Sequence, residues 1–423
     1  MIHCHKSQAP VSAPDKEVLQ PSIQAIDPLN YTIASDLRNI SAIWDVLPGT
    51  IFMSSEYLTC LQSAPAAGME FKYVVIHAGQ TPIAKLYFQI VHFNAARSLG
   101  QEASIEADKC SYFSHLMKSI KLTVARNIDF HTIVCGNLLL TGENGWVFAD
   151  HLSQKVREEI IEVAYAQVRD ELKKTHKDEI AVSLLKEKYA EAKLSAGFIT
   201  AGKWHEFRIQ PNMLLNLEVE WRSFEDYLNS MHSKYRMRAK RAQKKLGSIV
   251  VESLSEAEIK ENSAVLYKLY LETIGSAGFN MVNLGMDYFY ETKKNMPDCF
   301  HVKVFRKDSE IVGFFSYFIN NEVLVAHMVG FNSLLNKTHQ IYLNMLYQLV
   351  QEGIERSLER INLGRTAMEI KSSVGAYPVD MYCYIRHRNR IYNKFAPNLI
   401  DLLSPQEDWL QRHPFKIEER AEV

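Results

Sequence analysis

The chain has 423 residues, 47% of them apolar and 23% charged, and a formal net charge of -1, which suits two or three globular domains. Near-neutral charge excludes a protein steered to DNA by its global field, so any electrostatic effect is local. The opening stretch, MIHCHKSQAPVSAPDKEVLQP, has no apolar core and reads as a polar tail rather than a secretory signal. Six cysteines (Cys4, Cys60, Cys110, Cys135, Cys299, Cys383) are widely spaced and lack CxxC pairing, so they are expected to be reduced thiols of a cytoplasmic protein. His3, Cys4 and His5 sit in that polar tail, without the preorganisation of a ligand set, and no metal site is expected. Nor is a membrane span, because Ile311–Phe331 is interrupted by Asn320, Asn321, Glu322 and His327.

In chain order, an approximate repeat of pattern emerges. Phe71–His77 and Pro82–Val91 alternate as strands about a turn containing Gly79. A mixed insertion, roughly His92–Asn127, carries a predicted helix over Tyr112–Arg126. Phe130–Leu140 is the third strand and Thr141–Phe148 a loop. A helix capped by Ser153 runs to about Thr175, with Val156, Ile160, Ala164, Val168 and Leu172 along one side. Asp178–Leu184 closes the unit. Next, Gln210-Pro211-Asn212 reads as a turn and Met213–Glu220 as a strand. A helix capped by Ser223 follows, then one ended by Gly247.

The order then recurs. His301–Lys307, Glu310–Ile319 and Val323–Phe331 are strands joined by Asp308-Ser309 and Asn320-Asn321, residues that tolerate tight hairpins. Asn332–Gln340 is a polar loop in which Thr338 is a candidate cap. A helix runs from about Ile341 to Ser357 with Tyr342, Met345, Leu346, Leu349 and Val350 on one face, and Arg360–Leu363 returns as a strand. Each copy is β-β-β-α-β, a mixed sheet with a crossover that brings a helix N-terminus beside the sheet edge. The implied organisation is a tail (1–25), a first domain (26–211), a second domain (212–403) containing the basic helix 233–246, and a C-terminal tail (404–423).

This layout resembles the GNAT fold. Two copies in one chain resemble the FemAB-like, peptidoglycan-bridge branch of that superfamily. The stretches carrying the resemblance are CGNLLLTGENG (Cys135–Gly145), QPNMLLNLEVEW (Gln210–Trp221), YRMRAKRAQKK (Tyr235–Lys245) and NLGRTAMEIKSSVGA (Asn362–Ala376), within roughly Tyr57 to Asn393. The resemblance implies a tandem α/β fold with mixed sheets. It also implies an N-acyltransferase using an acyl-CoA or acyl carrier protein thioester as co-substrate, with no resident cofactor. The phosphate loop usual in GNAT proteins, Q/R-x-x-G-x-G/A, is absent from both copies, which leaves other donors open, aminoacyl-tRNA among them. The expected acceptor is a small-molecule or lipid-like amine, with peripheral membrane contact compatible and no DNA involved.

Residue chemistry adds candidates. Between Lys234 and Lys245 lie Arg236, Arg238, Lys240, Arg241 and Lys244 with no acid among them. Like charges at helical spacing repel by a few tenths of a kcal/mol per pair, so an anionic partner or acids from elsewhere in the chain would relieve them. Tyr235, Arg236, Arg238 and Lys240 are therefore candidate binding residues, with Tyr235 or Arg236 expected to point inward. Arg365 and Lys371 follow the last core strand at the sheet's carboxyl edge, where they could grip a carboxylate or phosphate. Thr366 and Glu369 have capping-box spacing. Asn137, after a mid-strand Gly136, is a candidate oxyanion donor, and Glu143 a candidate base. His327, on the strand that lines the acyl site in GNAT-like folds, is the preferred base. Cys135 is expected to be a core thiol. A non-catalytic module binding RNA or membrane through the basic helix is the competing reading.

Overall fold

The computed structural model describes residues 30–66, 68–94, 129–176, 180–275, 282–397 and 408–416. The tail 1–25, the metal-ligand types within it, Cys110 and the insertion helix Tyr112–Arg126 lie outside the described residues. The first half contains β1 (Asn30–Ala34), β2 (Met69–Ala78), β3 (Thr81–Asn94), β4 (Asp129–Cys135), the short β5 (Trp146–Phe148), the crossover helix Gln154–His176, β6 (Ile180–Tyr189) and β7 (His205–Asn216). The second half contains β8 (Val250–Ser253), β9 (Phe300–Lys307), β10 (Glu310–Asn320), β11 (Val323–Phe331), the crossover helix Ile341–Glu355, β12 (Arg360–Asn362) and β13 (Tyr377–His387).

These strands form one continuous sheet in the order β1-β2-β3-β4-β6-β13-β7-β12-β11-β10-β9-β8, with β5 paired to β3. Within each half the first strands are antiparallel, and the crossover helix makes β4·β6 and β11·β12 parallel. The doubled β-β-β-α-β order predicted from the sequence is therefore present, and the chain is a tandem α/β protein built on a mixed sheet. The two halves also exchange their last strands. β7, made by the first half, pairs with β12 of the second; β13, made by the second, pairs with β6 of the first; and the two exchanged strands pair with each other.

The exchange explains one difference from the sequence reading. Gln210-Pro211-Asn212 lies inside β7 rather than in a turn, and the strand runs from His205 to Asn216 rather than from Met213 to Glu220. The register shifts here, opposite Val379–Met381, so Pro211 falls where the ladder needs no amide donor. A domain boundary after residue 211 therefore cuts a strand. Likewise β4 stops at Cys135, not Leu140, because Gly136 takes φ 133° and turns the chain. Ser333–His339 is a helix rather than loop, and Gln340, at φ 53°, precedes the next helix where Thr338 was the expected cap. Ser153 and Ser223 do cap their helices.

Three apolar cores hold the sheet. Alternate residues of β2 face opposite sides: Val74 and Ile76 pack under Gln154–His176 with Ile160, Tyr165 and Val168, while Tyr73 and Val75 face the other way. On β10, Phe315 and Tyr317 pack under Ile341–Glu355, while Phe314 and Phe318 face away. The residues facing away from both halves merge in a shared core that joins Tyr57, Tyr73 and Tyr87 to Tyr288, Phe300 and Phe318. Phe318 meets Phe52 and Tyr57 edge-on at 5.2 and 5.5 Å, the favoured geometry for aromatic pairs. Burying one such ring contributes about 1.5–3 kcal/mol, so the halves are stabilised by each other. The C-terminal residues 408–416 add Phe415, which packs on Trp221 at 5.3 Å.

A fragment ending at residue 211 leaves β6 without its β13 neighbour and exposes the first half's share of the common core. It is expected to aggregate or to melt without a cooperative transition, as read by gel filtration and circular dichroism. A monomeric fragment with a sharp transition would contradict the exchanged-strand account.

Candidate functional site

The parallel pair β11·β12 has only three residue pairs, Val323–Arg360, Leu324–Ile361 and Val325–Asn362. Beyond them β11 continues to Phe331 while the chain after Asn362 turns away at Gly364, φ 71°. The divergence opens a cavity of about 240 Å³. Ala326, His327 and Val329 form one wall, Leu363–Thr366 and Lys371 another, and Tyr342, Met345, Leu346 and Leu349 of the crossover helix a third. Leu139, Leu140 and Thr141 of the first half complete it, so the cavity lies at the seam.

The equivalent opening in the first half is closed. There the Tyr165 hydroxyl sits between the diverging strands, donating to the Leu184 carbonyl at 2.6 Å and accepting from the Cys135 amide at 3.2 Å. Lys186 packs against Gly136 so closely that a Cβ on the glycine would lie 2.7 Å from the lysine Cβ. Cys135 is buried, and burial pushes its thiol well above the ordinary value, as expected for a core residue.

Charge gathers behind the open cavity. Glu187 is 1% exposed and holds a left-handed φ of 51°. Its carboxylate accepts from the Gly142 amide at 2.6 Å and lies 2.6 Å from Lys186 Nζ and 3.2 Å from Arg365 Nε. Lys186 Nζ donates to the Leu140 carbonyl at 2.6 Å, and Lys371 Nζ donates to the carbonyls of Gly364 and Arg365. Both loops that line the cavity are thus tied down by this group. Two cations, Lys186 and Arg365, share one buried carboxylate, and Lys371 lies beside them with only backbone carbonyls as partners. Burial, then the Arg365 charge, lowers Lys371 to about 7. Burial also lowers Lys186, partly offset by Glu187.

A second polar chain crosses the halves. His327 Nε2 is 2.8 Å from the Tyr288 hydroxyl, which is 3.4 Å from the Tyr57 hydroxyl. Asn137 Nδ2 donates to Tyr57 at 3.4 Å, and Gln89 Nε2 donates to Asn137 Oδ1 at 3.3 Å. Apolar surroundings lower His327 to about 3, so its imidazole is neutral at any ordinary pH and is a weak base.

The candidates from sequence are therefore distributed unevenly. Arg365, Lys371 and His327 line one cavity. Asn137 is 1% exposed with its amide spent on internal bonds, so it braces the fold rather than facing an oxyanion. Glu143 is paired with Lys188 at 2.9 Å and accepts from the Tyr189 amide, outside the cavity lining. The capping box does not form: Ala367 precedes the helix Met368–Ser372 at φ 49° without a side-chain cap, and Glu369 pairs instead with Arg412. Tyr235 packs against the second core, as expected of it, while Lys240 pairs with Glu225 at 2.9 Å. Arg238 lines a separate groove with Ala367–Ile370, Asp408 and Trp409, and Arg236 belongs to neither lining. Lys186, Glu187, Tyr165 and Tyr288 escaped sequence reading, since single residues within strands and helices carry no periodic or motif signal.

Among the described residues, no group of His, Cys, Asp and Glu could hold a metal, and no helix is long and apolar enough to cross a membrane. No curated protein matches the chain. Among solved structures it is similar to FemX, at 9% identity over 89% of this chain and 100% of that one, with a TM-score of 0.49. It is also similar to a tandem GNAT protein from the clavulanic acid biosynthesis pathway (9% identity, 85% and 99%, TM-score 0.48) and to L-PGS from Bacillus licheniformis (11% identity, 82% and 96%, TM-score 0.43). The FemAB-like family, described as peptidoglycan biosynthesis/recognition, matches residues 151–407. That match spans more than half of the sequence, and by it the chain belongs to the FemAB-like family.

Proposed function

We propose that the chain transfers an acyl or aminoacyl group to an amine on a peptidoglycan precursor, in the cavity between β11 and β12. The observation that carries this reading is the contrast between the halves: the second has an open gap lined by two cations, and the first has the same gap sealed by Tyr165. Family membership supports the choice of acceptor.

The donor is a carrier-borne activated acyl group, an acyl carrier protein thioester or an aminoacyl-tRNA ester. Acyl-CoA fits less well. A CoA pyrophosphate in a GNAT-like site needs free amides at the crossover helix N-terminus. Here one of those amides is taken, that of Tyr342, which donates to Asn336 Oδ1 at 2.8 Å. In the reaction the acceptor nitrogen attacks the acyl carbonyl carbon. The new C–N bond forms, the C–O or C–S bond to the carrier breaks, and the proton leaving nitrogen passes to the departing oxygen or sulfur.

Lys371 is the proton carrier in this scheme. A neutral amine has two N–H bonds, and two carbonyls, those of Gly364 and Arg365, accept from its nitrogen. The lone pair is then left for the acceptor. A base is most effective when its pKa lies near the working pH, and it typically contributes roughly 10²–10⁴-fold. Arg365 supplies a fixed charge for an anionic part of donor or acceptor. His327, neutral and tied to Tyr288, orients the reactants without moving a proton. Holding the two reactants together contributes several kcal/mol more, up to about 7–11 for ideal orientation.

Purified protein, given each carrier-borne donor class and a peptidoglycan precursor bearing a free side-chain amine, is expected to form an amide product detected by mass spectrometry. Arg365→Ala is expected to raise KM for the anionic reactant about 10–100-fold, the worth of one lost charged hydrogen bond. Product absent with all donors, and no binding of any, would overturn the reading.

The sign of the pH dependence follows from Lys371. Its conjugate acid loses the proton as pH rises through about 7, so the rate should climb through that pH and then level. Lys371→Gln should lower the rate by about 10²-fold or more and abolish the step. Lys371→Arg, which keeps the charge but cannot deprotonate, should not rescue it. His327→Gln should slow the reaction and leave the step in place. A step that moves with His327, or rescue by arginine, would reassign the base.

A further inference from the structure

The helix Ser233–Leu246 is bound to the protein by one narrow face. Ala239 and Ala242 are buried and Tyr235 and Leu246 pack on the second core, positions that share a face at helical spacing. On the opposite side Met237 is 56% exposed. Around it stand Lys234, Arg238, Arg241, Lys244 and Lys245, all exposed. Of the helix's cations only Lys240 meets a carboxylate among the described residues, at Glu225. The other acids beside the helix are Glu369 and Asp408, which share a groove with Arg238 at its edge.

A second element extends the surface. The helix Ser333–His339 packs against the basic helix, and His339 Nδ1 donates to the Lys245 carbonyl at 2.8 Å. It carries Lys337 and Leu334, the latter 72% exposed. Two apolar side chains thus stand in water among exposed cations, on neighbouring helices. A ribbon of phosphates alone would call for the cations but gives Met237 and Leu334 nothing to enter. An anionic bilayer surface accounts for both: headgroups take the charges while Met237 and Leu334 reach the acyl boundary and the lysine and arginine stems lie along it.

We propose that these two helices form a docking surface for an anionic lipid bilayer. The inference is independent of the transfer reaction, because none of these residues lines the open cavity. It also has a spatial consequence. Ser333–His339 leads directly into Ile341–Glu355, whose Tyr342, Met345, Leu346 and Leu349 line that cavity. Seating the surface on a membrane therefore tethers the cavity wall close to the bilayer.

The test is co-sedimentation of the full chain with vesicles of phosphatidylcholine containing about 30 mol% phosphatidylglycerol, against phosphatidylcholine alone. Binding is expected only with the anionic lipid, falling steeply between about 50 and 500 mM salt as the charges are screened. Reversing three charges (Arg238→Glu, Arg241→Glu, Lys245→Glu) should weaken binding by about a hundredfold or more, since each basic residue near such a surface matters about fivefold. Met237→Ser with Leu334→Ser should weaken binding several-fold even at low salt, while all six cations remain, and this separates bilayer insertion from simple attraction. All these positions are exposed, and an unchanged thermal transition checks that the variants fold. No binding to anionic vesicles, equal binding by the charge-reversed variant, or tighter salt-sensitive binding to tRNA that ignores Met237 and Leu334 would each overturn the proposal.

Discussion

Pairing between β11 and β12 stops at Val325 and Asn362, and a parallel pair that short leaves backbone and side chains on both strands facing an opening. An opening in a sheet is tolerable only if its polar groups are met. Here the far side is met by Lys371, which caps the carbonyls of Gly364 and Arg365, and by Glu187, which holds the Gly142 amide. Burying Lys371 beside Arg365 with no carboxylate of its own is costly, and its depressed pKa is the form that cost takes. The features that make the cavity chemically useful follow from how its edges are held.

The exchange of β7 and β13 places this arrangement at the seam rather than inside one half. Because β13 belongs to the second half but lies on β6, it presses Cys383 against the Glu187 amide, and the left-handed turn at Glu187 falls opposite the register shift between Tyr382 and Tyr384. The carboxylate then meets Arg365 from the other half. A positive φ at a β-bulged glutamate costs of order 1–3 kcal/mol and persists only where surrounding contacts fix it. The first half, with its gap plugged by Tyr165, contributes walls and an anchor while the second keeps the opening. The two halves together line one cavity, and the shared aromatic core holds them to each other.

The sequence made the doubled order legible because strands with alternating apolar residues were bounded by turn residues that the structure uses as turns. Asp308, Ser309 and Asn321 all hold left-handed φ values in the hairpins where they were expected. The basic helix and its Gly247 terminus were equally legible, since capping and periodicity are local. The strand exchange was not, because pairing between residues far apart in the chain leaves no mark in either strand; Pro211 even suggested a turn where the structure has a bulge. The site was partly legible. Arg365 and Lys371 stood out by following a strand and glycine at the sheet edge. Lys186 and Glu187 did not, since their importance comes from the opposite half. The expected roles of Asn137 and Glu143 fail for the same reason: Tyr57, Lys188 and the Tyr189 amide, distant in sequence, claim their polar atoms.

The central claim is that the seam cavity is lined by a buried lysine, Lys371, whose amine is reactive near neutrality. Brief labelling with a limiting amine-reactive acyl reagent across a pH series, followed by peptide mass spectrometry, reads this directly. The account predicts that Lys371 is acylated with half-maximal reactivity near pH 7, well before the exposed lysines of the helix 233–246, and that a bound donor protects it. Reactivity that appears only at the pH of an ordinary exposed lysine, about 10, or labelling indifferent to bound donor, would contradict it.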